Sequence, residues 1–224
     1  MKRINGVTVY DGLAEILDPR HTALLVVDVQ NDMCRPDGWM ARQGRDVGAI
    51  QAAVPRIAQL VAAARECGVT VVLIEQTTLP DNASDSPAWL YFKTRDGRRR
   101  TDYTLDGSWG QETLEEIGRA PGDLVVRKHR PSAFHATTLD LLLRARGVES
   151  VAVCGTITQG CVQATVMDAS FHDYYVVLAG DAVQSFSQEL HANALTFLRS
   201  RYDVADGAEI AALWRRQAAG GAAA

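Results

Sequence analysis

A chain of 224 residues in which 47% are hydrophobic is long enough to bury one substantial core. Its formal net charge of -4 offers no overall attraction to nucleic acid or to an anionic membrane, and no apolar run reaches the roughly 20 residues that span a bilayer. The four cysteines, Cys34, Cys67, Cys154 and Cys161, show neither C-x-x-C spacing nor the density of a disulfide framework, so reduced thiols and a cytoplasmic location are expected.

Residues 1–21 lack the apolar centre of a secretion signal and read as an N-terminal extension. Thr22 to Asp28 is a continuous apolar run closed by an acid, the pattern of a strand buried on both faces. Helical spacing over Gln51 to Cys67 stops at Gly68, and Val69 to Ile74 is a second buried strand. Leu124 to Arg127 is a third, short one. Thr137 to Arg146 is helical and ends at Gly147, Val151 to Cys154 is the fourth strand, and a helix is expected over Cys161 to Phe171. Tyr174 to Ala179 is the fifth strand, Gln188 to Arg199 a helix, and Val204 opens a sixth strand. Strands alternating with helices predict an α/β fold: three αβα layers around a doubly wound, mainly parallel six-stranded sheet. No internal repeat or linker divides it, so 22–215 is expected to be one domain, with 216–224 a frayed tail.

The stretch 77–109 breaks the alternation. It has no clear period, carries Pro80, Pro87, Gly97 and Gly107, and groups Trp89, Tyr91 and Phe92. An irregular segment of this length is a candidate lid, binding loop or subunit contact. Its basic cluster, Arg95 to Arg100, could draw an acidic substrate or partner, although short charge runs are more often simply solvated.

Val151 to Asp168 carries the strongest chemical signal. A strand ends at Gly155, a Thr/Gln/Gly turn follows, and Cys161 sits where a helix would begin. Free backbone N–H groups and the helix dipole would favour a thiolate there and could hold an oxyanion. Gly155 and Gly160 have the spacing of a phosphate-binding loop, but Cys161 and Val162 stand where Lys and Ser or Thr would grip phosphate and Mg²⁺. Position alone leaves Cys161 open between a nucleophile and a small packing residue. Sheets of this kind place their sites at the carboxyl ends of strands, where Asp28, Lys128 and Cys161 supply a base, a cation and a thiol.

The segments Leu25-Val-Val-Asp-Val-Gln-Asn-Asp32, Lys128-His-Arg-Pro-Ser-Ala-Phe134 and Gly155-Thr-Ile-Thr-Gln-Gly-Cys-Val162 together resemble the three signatures of the isochorismatase-like cysteine hydrolases, over about residues 22–204. The resemblance implies a catalytic triad of Asp28, Lys128 and Cys161. It also implies a cis peptide at Thr156–Ile157 and an oxyanion hole formed by the backbone N–H groups of Ile157 and Cys161. Within the family, Cys161 argues against the vinyl-ether-cleaving isochorismatases, which commonly have glycine there. Nicotinamidases carry histidines soon after the second strand; Ile74 to Asp85 has none, so neither a metal nor any other cofactor is expected.

The chain is most similar to amidohydrolases of carbamoyl, ureido or maleamate-type compounds, through Lys128, Arg130, Ser132 and Phe134, with Pro131 where an aromatic is frequent. The expected activity is hydrolysis of a small-molecule C–N bond through a Cys161 thioester. The alternatives are an ether hydrolase with Cys161 as a bystander, or a non-catalytic binding domain. Gln30, Phe134, Trp39, Trp89 and Tyr91 are candidate substrate contacts, with positioning of the aspartate favoured for Gln30 and a core role equally open for Phe134. His129 and His135 flank the lysine and are secondary candidates. The expected assembly is a homodimer or homotetramer, with no nucleic-acid or membrane partner.

Overall fold

The structure is a computed structural model and describes residues 1–97 and 101–221, so Arg98, Arg99 and Arg100 of the basic cluster and the last three residues of the expected tail lie outside the described residues. The chain opens with a hairpin of β1 (Lys2–Ile4) and β2 (Val7–Val9). Its turn residues Asn5 and Gly6 both have positive φ, 49° and 85°, as a tight two-residue hairpin requires. After a short helix α1 (Leu13–Ile16) come β3 (Thr22–Val27), the one-turn helices α2 (Asn31–Cys34) and α3 (Trp39–Arg42), the long α4 (Gly48–Glu66) and β4 (Thr70–Gln76). Then follow α5 (Pro87–Thr94), β5 (Leu124–Lys128), α6 (Leu139–Ala145) and β6 (Ser150–Thr156). A π-helical turn over Thr158–Val162 leads into α7 (Gln163–Phe171), and the chain finishes with β7 (Tyr175–Gln184), α8 (Gln188–Arg199), β8 (Asp203–Ala205) and α9 (Gly207–Gly221).

The main sheet has six strands in the order β5-β4-β3-β6-β7-β8, all parallel. β3 lies inside, and all six of its residues are buried. Its side chains alternate between two cores. Leu24 and Val26 join Ile57, Leu60, Ile210 and Trp214 beneath α4 and α9. Leu25 and Val27 join Leu139, Val166 and Leu198 beneath α6, α7 and α8. Two helical layers therefore demand the uninterrupted apolar run that marks β3. The chain winds from β3 outward through β4 and β5, then returns to β6 on the other side, so the reversal falls between β3 and β6. Open sheets carry their crevice there, at the carboxyl ends.

Two regions differ from the sequence expectation. Within 77–109 lies α5, whose start is set by Ser86 accepting from the Trp89 N–H (3.2 Å) and by Pro87 in the first turn. Tyr91 and Phe92 are exposed, so the helix shows no buried apolar stripe, which is why it escapes the pattern. The residues from 216 to 221 continue α9 instead of forming a frayed tail. Alanines favour helix there, and Gln217 donates to the Ala14 carbonyl (2.9 Å) while Arg215 pairs with Glu66 (3.0 Å).

Candidate active site

Three strand ends converge on one buried ion pair. Asp28, the residue after β3, has φ 52°, a left-handed conformation that costs a non-glycine residue about 1–3 kcal/mol. Its own N–H still reaches the Ile74 carbonyl (3.0 Å), so the backbone stays attached to β4. Lys128 ends β5. Its ammonium donates to Asp28 Oδ2 (2.8 Å), to Gln76 Oε1 (3.0 Å) and to the Arg130 carbonyl (3.2 Å), and both charged side chains are fully buried. β4 runs between β3 and β5, and its last residue bridges the pair. The Gln76 N–H donates to Asp28 Oδ1 (3.1 Å) while its side chain accepts from Lys128.

Cys161 approaches from β6. Gly155, at φ 116°, lets β6 press against β3: a Cβ there would fall 2.1 Å from the Val27 carbonyl oxygen. Thr156 then donates its hydroxyl to the Asp28 carbonyl (2.9 Å), and the Thr156–Ile157 peptide is cis. The Ile157 carbonyl accepts from the N–H groups of Gly160 (2.9 Å) and Val162 (3.3 Å), closing the turn. This brings the Cys161 thiol beside the ion pair, close enough for the charges of both Asp28 and Lys128 to act on it. Of the three residues, only Cys161 keeps some exposure.

The electrostatics correct one expectation. α7 begins at Gln163, so Cys161 sits in the preceding turn, which Gly160 interrupts with φ -114° and ψ -107°, and not on the helix's first turn. Burial, and after it the Asp28 carboxylate, push the thiol up to about 12, and Lys128 only partly opposes them. The balance favours the thiol form, where a helix N-terminus alone would have favoured thiolate. Burial pulls Lys128 down, but the facing Asp28 carboxylate and the Cys161 sulfur outweigh it, and the ammonium is held above its ordinary value.

The other residues singled out by sequence divide sharply. Gln30 is fully buried, with its Nε2 on the carbonyls of Gln76 (3.0 Å) and Gln111 (2.6 Å) and its Oε1 on the Gln76 N–H (2.9 Å). It braces the ion pair's frame and leaves nothing for a substrate. Trp39 is a core residue, 6% exposed, with its indole N–H on Asp102 (3.0 Å). Phe134 is buried against His172 and Tyr174, at ring separations of 5.0 and 5.8 Å, so packing accounts for it. Trp89 does reach the lysine segment: the Arg130 guanidinium lies 4.8 Å from its ring, and Arg130 also donates to the Ser84 carbonyl (3.0 Å). Tyr91 is 70% exposed on the same helix. His129 donates from Nδ1 to the Thr77 carbonyl (2.7 Å), and His135 is exposed. Among the described residues, no three His, Cys, Asp or Glu side chains gather as a metal site would need. Sequence reasoning missed Gln76. Its signal was topological: a residue ending the strand between those of Asp28 and Lys128 must lie between them.

The chain is similar to known proteins over most of its length. The isochorismatase domain family model matches residues 22–209. The ureidoacrylate amidohydrolase RutB of Methylobacterium radiotolerans is 36% identical over 189 residues, covering 80% of this chain and 73% of that protein. A cysteine hydrolase from Pseudomonas syringae pv. phaseolicola superposes with a TM-score of 0.78 at 26% identity, over 89% of this chain and 95% of the other. The N-carbamoylsarcosine amidase of Thermoplasma acidophilum superposes with a TM-score of 0.66 at 25% identity, over 84% and 96% of the two chains.

Proposed function

This chain belongs to the isochorismatase family, and from that premise we propose that it is a cysteine amidohydrolase. It cleaves a C–N bond, other than a peptide bond, in a small amide, carbamoyl or ureido compound. The observation that carries this reading is the buried Asp28–Lys128 pair with the Cys161 thiol beside it. A relative named as a ureidoacrylate amidohydrolase and a structural neighbour named as an N-carbamoylsarcosine amidase support the substrate class.

The chemistry follows from the protonation states. The thiol rests neutral, so proton transfer to Asp28 accompanies attack of sulfur on the substrate carbonyl carbon. Lys128 keeps its charge and balances the carboxylate as the proton moves. The tetrahedral oxyanion is received by the backbone N–H groups of Ile157 and Cys161. Its collapse breaks the C–N bond, and Asp28 returns the proton to the leaving nitrogen, which departs as ammonia or an amine. Asp28 then takes a proton from water, hydroxide adds to the thioester carbonyl, and the thiol is released with a carboxylic or carbamic acid. Apart from the hydrolytic water, each of these steps uses groups of the chain itself.

In this reading residues 22–215 form the catalytic domain, and Trp89 contributes to the wall over the lysine segment. The enzyme works in the cytoplasm as a homodimer or homotetramer; all four cysteines are free thiols. Ammonia release from a panel of carbamoyl, ureido and primary amide compounds tests the proposal. Cys161→Ala should abolish turnover; turnover retained by that variant would assign the chemistry elsewhere.

A further inference from the structure

We infer that His191 is a positioning residue for the thiol-bearing turn, acting through Thr158. The inference rests on the proposed Cys161 chemistry. Thr158 is fully buried between Ile157 and Cys161, whose N–H groups are assigned to the oxyanion. The turn is tethered at two side chains. On the β3 side, Thr156 holds the Asp28 carbonyl (2.9 Å). On the α8 side, Thr158 Oγ1 lies 2.8 Å from His191 Nδ1. The first tether sets the turn relative to the base, and the second sets its rotation about that anchor.

The chemistry of the second tether is specific. His191 is partly buried, and burial holds its imidazole below the ordinary value, so the neutral ring offers one nitrogen as acceptor. With Nδ1 as that acceptor, Thr158 donates its hydroxyl hydrogen and Nε2 carries the ring proton. A hydroxyl committed in this direction fixes the Thr158 rotamer and holds the turn at a point between the Ile157 and Cys161 N–H groups, a turn closed by the Ile157 carbonyl accepting from Gly160 and Val162. Nothing else in α8 requires a histidine, because the helix is held by the buried Ala194 and Leu198. An oxyanion hole is sensitive to such a tether, since donors displaced by a few tenths of an ångström lose much of their effect on the transition state.

The test compares Thr158→Val, His191→Ala, His191→Asn and His191→Gln for kcat and KM in ammonia release, with the labelling rate of Cys161 by iodoacetamide as a substrate-independent readout. Thr158→Val keeps the side chain's shape and removes only the hydroxyl, so it serves if His191→Ala folds poorly. We expect Thr158→Val and His191→Ala each to lower kcat about fivefold to twentyfold with KM within about twofold, and to change the labelling rate. The double variant should be no worse than either single. His191→Asn, whose amide can reach the Nδ1 position, should recover most of the loss, and His191→Gln should not. Unchanged kcat and labelling, or losses that multiply in the double variant, would overturn the inference. A wild type inactive on every compound would count against the amidohydrolase reading, while the labelling comparison would still decide the role of His191.

Discussion

The Thr156 hydroxyl donates to the backbone oxygen of Asp28 over 2.9 Å, joining the turn that carries the thiol to the residue assigned as its base. Both partners are buried, so the bond has no water to replace it. Thr156→Val should therefore lower kcat about tenfold, the equivalent of about 1.4 kcal/mol, with a smaller effect on KM. Steady-state ammonia release measures both; an unchanged kcat would show that the two strand ends hold their spacing without this bond.

Gln76 offers a second handle on the pair. Replacing it with Leu leaves the Asp28 contact from the backbone N–H intact but removes the acceptor of a buried ammonium. Gln76→Leu should cost about 1–3 kcal/mol of stability, read by urea denaturation, and slow turnover. Equal stability of variant and wild type would mean that Lys128 is satisfied by its other partners.

The ion pair should separate stability from activity. Lys128→Met leaves Asp28 buried and unpaired, a loss of about 3–5 kcal/mol, and Asp28→Leu does the same to Lys128. The double variant removes both charges and should regain much of that stability while remaining inactive. Thermal unfolding beside an activity assay checks this, and a double variant less stable than both singles would contradict it.

Labelling of the thiol gives a result opposite in sign to turnover. Asp28 is one of the groups that raise Cys161, so Asp28→Asn should increase the thiolate fraction at pH 8. Iodoacetamide should then label Cys161 at least about tenfold faster, one unit of pKa, even as hydrolysis is lost. Slower labelling would show that Asp28 assists ionisation of the free thiol and does not oppose it.

Alkaline pH should destabilise the fold through its buried thiols. Cys34 and Cys161 are both pushed up from 9.0 to about 12, and Cys154 is raised as well, in each case chiefly by burial. The folded state therefore keeps protons that the unfolded chain gives up. This contribution is complete below about pH 9 and is lost as pH climbs towards 12. Denaturation midpoints measured from pH 8 to 11 should fall, and Cys34→Ala should make the decline shallower; a flat profile would remove the thiols from the account.

Much of this molecule is written in local pattern. Runs such as Leu24-Leu-Val-Val27 must be strands buried from both sides, and the opposing cores beneath them show why. The neighbourhood of Asp28, Lys128 and Cys161 is legible in part, because Asp28 and Lys128 close strands and Cys161 lies in the turn after β6, on the side of the sheet where this fold class carries its crevice. Elsewhere composition announced a kind of residue without its direction. Trp39 and Phe134 have the surfaces of pocket walls and serve as core, and Gln30 spends its amide on backbone. α5 was hidden because a helix with Trp89, Tyr91 and Phe92 around it has no apolar stripe to read. Gln76 and His191 become meaningful only when strand order and helix docking are known, and both depend on contacts across long stretches of chain.

The order of strands across the sheet also has a consequence in time. Asp28 and Lys128 both precede β6 in the chain, and their bond joins the ends of β3 and β5 across β4. The helices that cover both faces of those strands include α7, α8 and α9 from later in the chain, so the pair is buried only as the domain folds as a unit. The thiol meets its base only when β6 docks along the free edge of β3. Chemical competence is thus acquired in a single late event, and a nascent chain carries no assembled nucleophile until the second half of the sheet is in place.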